Sequence, residues 1–267
     1  MSALTDGQLV PAGTAMIEVL AAGKGPSVVL LPSLGRGAED FVAIAARLVE
    51  AGFRVLRPQP RGIGLSRGPM ADVTLRDYAA DVAAVIAADR GGPAFVVGHA
   101  FGNRVARMLA TDRPELVAAV ALVAANVGKA PSPPHIREAI RTSANLSVPV
   151  PERLAALQLA FFAPGNDPGS WLTGWFPDVL AAQRLAGDRV PRETDYAAGT
   201  APVLYLRPDH DPLADAEDGA EFQRALGERV TVVMIPSCSH AAVTERPDAI
   251  ADALIVYACS LFPPRGL

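Results

Sequence analysis

Cysteine is nearly absent from the chain. Two occur in 267 residues, Cys238 and Cys259, and their separation forms no spaced metal-binding motif. A disulfide between them stays open to the sequence, but the expectation is two reduced, buried thiols in a reducing compartment. Aromatic residues make up only 6% of the chain, so Ala, Val and Leu must carry the apolar core. Positive charge never gathers into a patch or a tail: 24 Lys and Arg stand against 28 Asp and Glu, for a net charge of −4. That excludes the electrostatic footprint of a nucleic-acid partner. No apolar run is long enough to span a bilayer, which argues against a membrane partner. The start, Met1-Ser2-Ala3-Leu4-Thr5-Asp6, lacks the cationic n-region and apolar h-region of a signal peptide. A soluble cytoplasmic protein is expected.

Hydrophobic residues, by contrast, are half of the chain. The length suits one α/β domain with an inserted subdomain. Residues 14–20 read as a strand, and Val28-Val29-Leu30-Leu31 is a continuous apolar run of the kind buried on both faces of a parallel sheet. A helical pattern follows over about Glu39–Glu50, then a strand at Phe53–Arg57. Thr74 with Asp77 three residues on reads as a helix start. Leu75, Tyr78, Val82, Val85 and Ile86 recur behind it at helical spacing. Strands follow at 94–97 and 117–123. This alternation predicts a doubly wound, mostly parallel sheet flanked by helices. The rhythm breaks between about Val127 and Gly199, where prolines punctuate three helical segments, Ile136–Ser143, Glu152–Phe162 and Pro177–Ala186. We read residues 127–199 as a helical cap inserted into a core of residues 1–126 and 200–267. Strands at 203–206 and 230–235, helices at about 215–226 and 247–261, complete the core. Both tryptophans, Trp171 and Trp175, lie in the cap with Phe161 and Phe162. They line a pocket or glue cap to core.

The most informative stretch is Val96-Val97-Gly98-His99-Ala100-Phe101-Gly102-Asn103. An apolar strand runs into Gly-His-Ala-Phe-Gly, and a helical pattern follows. Strand, tight turn and helix form the frame in which Gly-x-Ser-x-Gly presents a nucleophile, the glycines permitting the sharp bend and the close packing. The nucleophile position here holds Ala100, a methyl group. Sites in open α/β sheets form beyond the carboxyl ends of the strands. Four loops fall at such ends: Ser33-Leu34, the elbow itself, Asp211 and His240.

On these residues the chain resembles the α/β-hydrolase-fold proteins of the capped, esterase and lactonase-like kind. Arg61-Gly62-Ile63-Gly64-Leu65-Ser66 is similar to that family's Arg-Gly-x-Gly-x-Ser loop. Asp211-Pro212-Leu213 is similar to its acid turn, and Ser239-His240 before Glu245-Arg246-Pro247 to its histidine loop. The resemblance implies that His240 matches the general base and Asp211 the acid that orients it. Asp209 is the competing acid, set aside because the family's acid directly precedes such a Pro-Leu. It also implies an oxyanion hole made by the backbone N–H groups of Phe101 and Leu34. His99 is expected to pack or hydrogen-bond beneath the turn. The chain departs from the family at Pro32-Ser33, where His-Gly is common; Ser33 either meets substrate or caps its loop.

Ala100 leaves three readings. One is an ester or lactone hydrolase with a Ser-His-Asp-type site whose serine is replaced. Another is a protein with a native alanine, in which the His240–Asp211 pair acts as general base for water activation, lyase-type or cofactor-free chemistry. The last is a non-catalytic small-molecule receptor. The expected partner is an apolar or aromatic small molecule bound with help from Ser33, Phe161, Trp171 and Trp175. No cofactor is implied: Gly62-Ile63-Gly64 lacks the third glycine and helix start of a dinucleotide site, and no His/Cys/carboxylate cluster has metal spacing. The oligomeric state is left open, a homodimer included.

Overall fold

The structure, a computed structural model, describes residues 4–127, 132–214 and 216–263. Eight strands form one sheet in the order β1-β2-β4-β3-β5-β6-β7-β8. The strands are β1 Gln8–Ala12, β2 Ala15–Ala22, β3 Ser27–Leu31, β4 Arg54–Pro58, β5 Ala94–His99, β6 Val117–Val123, β7 Val203–Pro208 and β8 Val230–Ile235. β1 pairs antiparallel with β2 and β2 antiparallel with β4, and every other pairing is parallel. β3 and β5, buried along their whole length, read as the unbroken apolar runs that a two-sided sheet demands.

The helices are α1 Val42–Glu50, α2 Leu75–Asp89, α3 Phe101–Asp112, α4 Pro134–Ala144, α5 Val150–Phe161, α6 Pro177–Asp188, α7 Arg192–Tyr196, α8 Ala216–Leu226, α9 Ala242–Glu245 and α10 Pro247–Leu261. One apolar layer packs α2 and α3 against the sheet. The other holds Phe41, Ile44 and Leu48 with Ile250 and Leu254 of α10. α4 to α7 all fall between β6 and β7 in the chain.

The predicted elements are present, with adjustments. β1 adds a strand that the sequence reading leaves out. It is a hairpin partner of β2, turned by Gly13 at φ +57°, and as an edge strand it tolerates Pro11, which weakens its sequence signal. The helix expected from Glu39 opens as a 3-10 turn, Ala38–Phe41, before α1 begins. At Thr74, the Asp77 carboxylate accepts from both the Thr74 N–H and its hydroxyl, each at 2.7 Å, closing the first turn of α2. The thiol expectation needs one correction. Both cysteines are free, but only Cys238 is buried; Cys259 is exposed, because it falls on the outer face of α10. No helix among the described residues is long and apolar enough to cross a membrane.

Candidate active site

β5 ends, the chain turns at Ala100, and α3 begins at Phe101. Ala100 sits at φ +50°, ψ −108°, a conformation that a non-glycine residue holds only where its surroundings impose it. Its N–H donates to Val123 O at 3.1 Å. The Asn103 side chain clamps the same carbonyl through Nδ2 at 2.9 Å and receives the Val123 N–H on Oδ1 at 3.1 Å. The flanking glycines are required by close approach. A Cβ on Gly98 would meet Gly102 O at 2.3 Å, and one on Gly102 would meet Leu31 O at 2.4 Å.

Asp211 and His240 come together from the loops after β7 and β8. The Asp211 carboxylate, fully buried, lies 2.9 Å from His240 Nδ1. A carboxylate accepts, so in the neutral imidazole Nδ1 carries the proton and Nε2 has the lone pair. Asp211 Oδ1 also accepts from Leu213 N at 2.8 Å, which holds the acid in the turn that Pro212 begins. Asp209 is elsewhere. Its oxygens accept from the Ser237 and Cys238 N–H groups at 3.0 and 3.2 Å, bracing the loop that carries the histidine. His210 is exposed.

The histidine loop is tied down from several sides. Glu245 accepts from Ser239 N, Ala163 N and Asn166 Nδ2, each at 2.7 Å. Beneath it His99, fully buried, lies with Nε2 2.7 Å from His240 O. The carbonyl only accepts, so the proton sits on Nε2; Nδ1 is buried with no partner among the described residues. Burial, followed by repulsion from His240 and Arg36, pushes the His99 pKa down to about 3. This imidazole is neutral.

A cavity of about 680 Å³ opens over the elbow, lined among others by Ser33, Leu34, Ala100, Phe101, Phe161, Trp175 and His240. That volume is in the range of small-molecule sites. Phe101 N–H, at the first position of α3, has no intrahelical acceptor. Among the described residues neither it nor Leu34 N–H finds a partner in a loop or a side chain. Ser33 is buried on the wall.

The structure separates the two tryptophans. Trp175 lines the cavity, whereas Trp171 stands behind it, fully buried. Trp171 Nε1 donates to Thr244 Oγ1 at 2.9 Å, and its ring lies under the Arg36 guanidinium at 4.4 Å. It is packing between α5, Arg36 and His99. The Arg61 loop is likewise structural: Arg61 makes a two-pronged ion pair with Asp81 at 2.6 and 2.9 Å, away from the cavity.

Several wall residues escape sequence reasoning. Gln183, on the buried face of α6, accepts the Gly35 N–H at 2.7 Å and so fixes the loop of Ser33-Leu34. A lone amide among Val179, Ala182 and Ala186 was its only signal. Arg104 and Arg107 line the cavity on α3 and share the buried Asp195. Their i, i+3 spacing from Phe101 was visible, but charges on a helix ordinarily mark the solvent face.

The chain belongs to the alpha/beta hydrolase family, whose profile matches residues 28–253. Across most of its length it is similar to the 2-(acetamidomethylene)succinate hydrolase of Mesorhizobium japonicum, at 24% identity over 92% of each chain. A relative from Variovorax paradoxus named for carbamate hydrolysis (RutD) is 36% identical over 107 residues, and this match spans only 40% of each chain. Among solved structures, a thermophilic esterase from Thermogutta terrifontis superposes with a TM-score of 0.79 at 20% identity, covering 95% of this chain and 98% of that one. This last likeness is one of fold.

Proposed function

We propose that the protein hydrolyses an ester or lactone bond of an apolar or aromatic small molecule, with water rather than a side chain as the nucleophile. The observation that carries this is the His240–Asp211 pair, 2.9 Å apart, with His240 on the wall of the cavity that Ala100 also lines and Asp211 buried behind it. His240 Nε2 takes a proton from a water as its oxygen attacks the substrate carbonyl carbon. Asp211 holds the imidazole in the required tautomer and stabilises its positive charge. The carbonyl oxygen becomes an oxyanion, received by Leu34 and Phe101 N–H; one such donor is worth ~3 kcal/mol. The intermediate then collapses, the C–O bond breaks, and the leaving alkoxide recovers the proton from His240. Phe161 and Trp175 hold the apolar body of the substrate, and Ser33 faces it from the loop after β3. Trp171 supports these rings from behind. Residues 127–199 act as a cap that excludes bulk water.

A second reading rests on Ala100 itself. Its backbone keeps the strained presentation of a nucleophile elbow, and a hydroxyl there would complete a Ser-His-Asp triad. One experiment separates the two. A panel of 4-nitrophenyl esters and aromatic lactones is followed by stopped flow and intact-mass spectrometry, for the protein and for Ala100→Ser. The water mechanism predicts linear release from the first turnover and no acyl adduct on the protein, with a burst and an adduct appearing in Ala100→Ser. An inert protein beside an active Ala100→Ser selects the second reading. Tight probe binding with no turnover by either protein selects a receptor.

A further inference from the structure

α3 carries a second feature on the cavity wall. Arg104 and Arg107 converge on one carboxylate, Asp195, at 2.7 and 3.1 Å. Asp195 is 1% exposed and the Arg107 side chain 5%. Every nitrogen of the Arg104 guanidinium has an acceptor: Asp195 takes from Nε and Nη2, Gly187 O from Nη1 at 2.7 Å and Val190 O from Nη2 at 3.0 Å. Arg107 differs. Its Nε reaches Asn103 O at 3.3 Å and its Nη2 reaches Asp195, while Nη1 has no acceptor among the described residues. Two guanidiniums on one carboxylate leave one positive charge uncompensated. Burial weakens the hold of Arg107 on its proton, yet a guanidinium stays charged at neutral pH. Asp188, Glu193 and Arg184 on the same wall are exposed at the mouth and screened by water. Arg192 and Glu221 have interactions of their own.

We infer that Arg107 is an anion-binding residue, which takes a carboxylate at the end of the substrate remote from the bond that is cut. This rests on the reading of the cavity as the substrate site, and narrows the substrate class to an aromatic ester or lactone bearing a carboxylate. α3 supplies the ruler: six residues separate Phe101, at the oxyanion end, from Arg107, about 9 Å along the helix axis. A carboxylate on a short aryl-alkyl chain spans that distance. The contact is a charge-assisted hydrogen bond from Nη1 to a carboxylate oxygen, with Nε and Nη2 keeping Asn103 O and Asp195.

The test is binding, read by Trp175 fluorescence and calorimetry, with matched probes: 4-phenylbutanoate against neutral 4-phenylbutanamide. The expected result is an acid-over-amide preference of about tenfold or more, the scale of one charge-assisted hydrogen bond. Arg107→Gln should erase the preference by weakening the acid alone. Asp195 keeps Arg104 in that variant, so no buried carboxylate is stranded. Arg107→Lys should restore part of the preference. Equal binding of acid and amide to the protein, or an unchanged preference in Arg107→Gln, overturns the anion site and leaves the hydrolase reading standing. Failure of that reading shows instead as absent turnover with the preference intact. If neither probe enters the cavity, the inference falls as well.

Discussion

His99 and His240 are neighbours, with ring centroids 5.7 Å apart and planes tilted by 41°, and their environments give them opposite uses. His240 has a carboxylate on one nitrogen and the cavity on the other. His99 has only a carbonyl to give to, and its remaining lone pair is sealed in. Burial holds its folded-state pKa at about 3, below the ordinary histidine value of 6.5. The unfolded chain therefore binds the extra proton between those values, so stability falls as pH drops from about 6.5 toward about 3. His99→Gln keeps a donor for His240 O and removes the titration. Urea unfolding at a series of pH values should show a shallower acid loss in the variant; parallel curves would refute the assignment. At this scale the sequence was informative where side chains follow the chain's motifs. The Pro-Leu after Asp211 distinguished it from Asp209, and the order acid, then histidine, marked the pair. It was silent on Arg107, Asp195 and Gln183, whose partners lie 88, 91 and 148 residues away. It also failed to divide the tryptophans, because Trp171 ends a 3-10 turn and Trp175 lies in the loop before α6, where no regular period says which ring faces a cavity and which faces Arg36.

Among elements, the β5–α3 turn is constrained by backbone on both sides. The backbones of Gly98 and Gly102 pass so closely that a methyl group on Gly98 has nowhere to go. Gly98→Ala should cost about 1–3 kcal/mol, the usual penalty for overpacking, measured as a lower urea midpoint. An unchanged midpoint would mean that the elbow is looser than described. The long parallel strands and amphipathic helices were legible because two-sided burial and helical spacing leave strong patterns. β1 was not, being short, at the edge and interrupted by proline. The opening of the helix after β3 was misplaced for a related reason: propensity does not separate one turn of 3-10 helix from the α-helix that continues it.

Across the whole molecule, the sheet and the inserted helices meet at one place. The third apolar cluster joins Phe161, Trp171 and Trp175 of the inserted segment to Ala241, beside the histidine. Polar ties cross the same boundary at Gln183–Gly35, Trp171–Thr244 and Glu245–Asn166. The cavity is the space that these ties hold open, with His240 on the core side and Phe161 and Trp175 on the other. Function at this scale reduces to whether His240 moves a proton there. The direct measurement is kcat/KM for the best 4-nitrophenyl ester, for the protein and for His240→Ala, with melting temperatures recorded for both. A general base predicts a loss of about 10²–10⁴-fold with the melting temperature maintained. Equal rates in the two proteins would contradict the account.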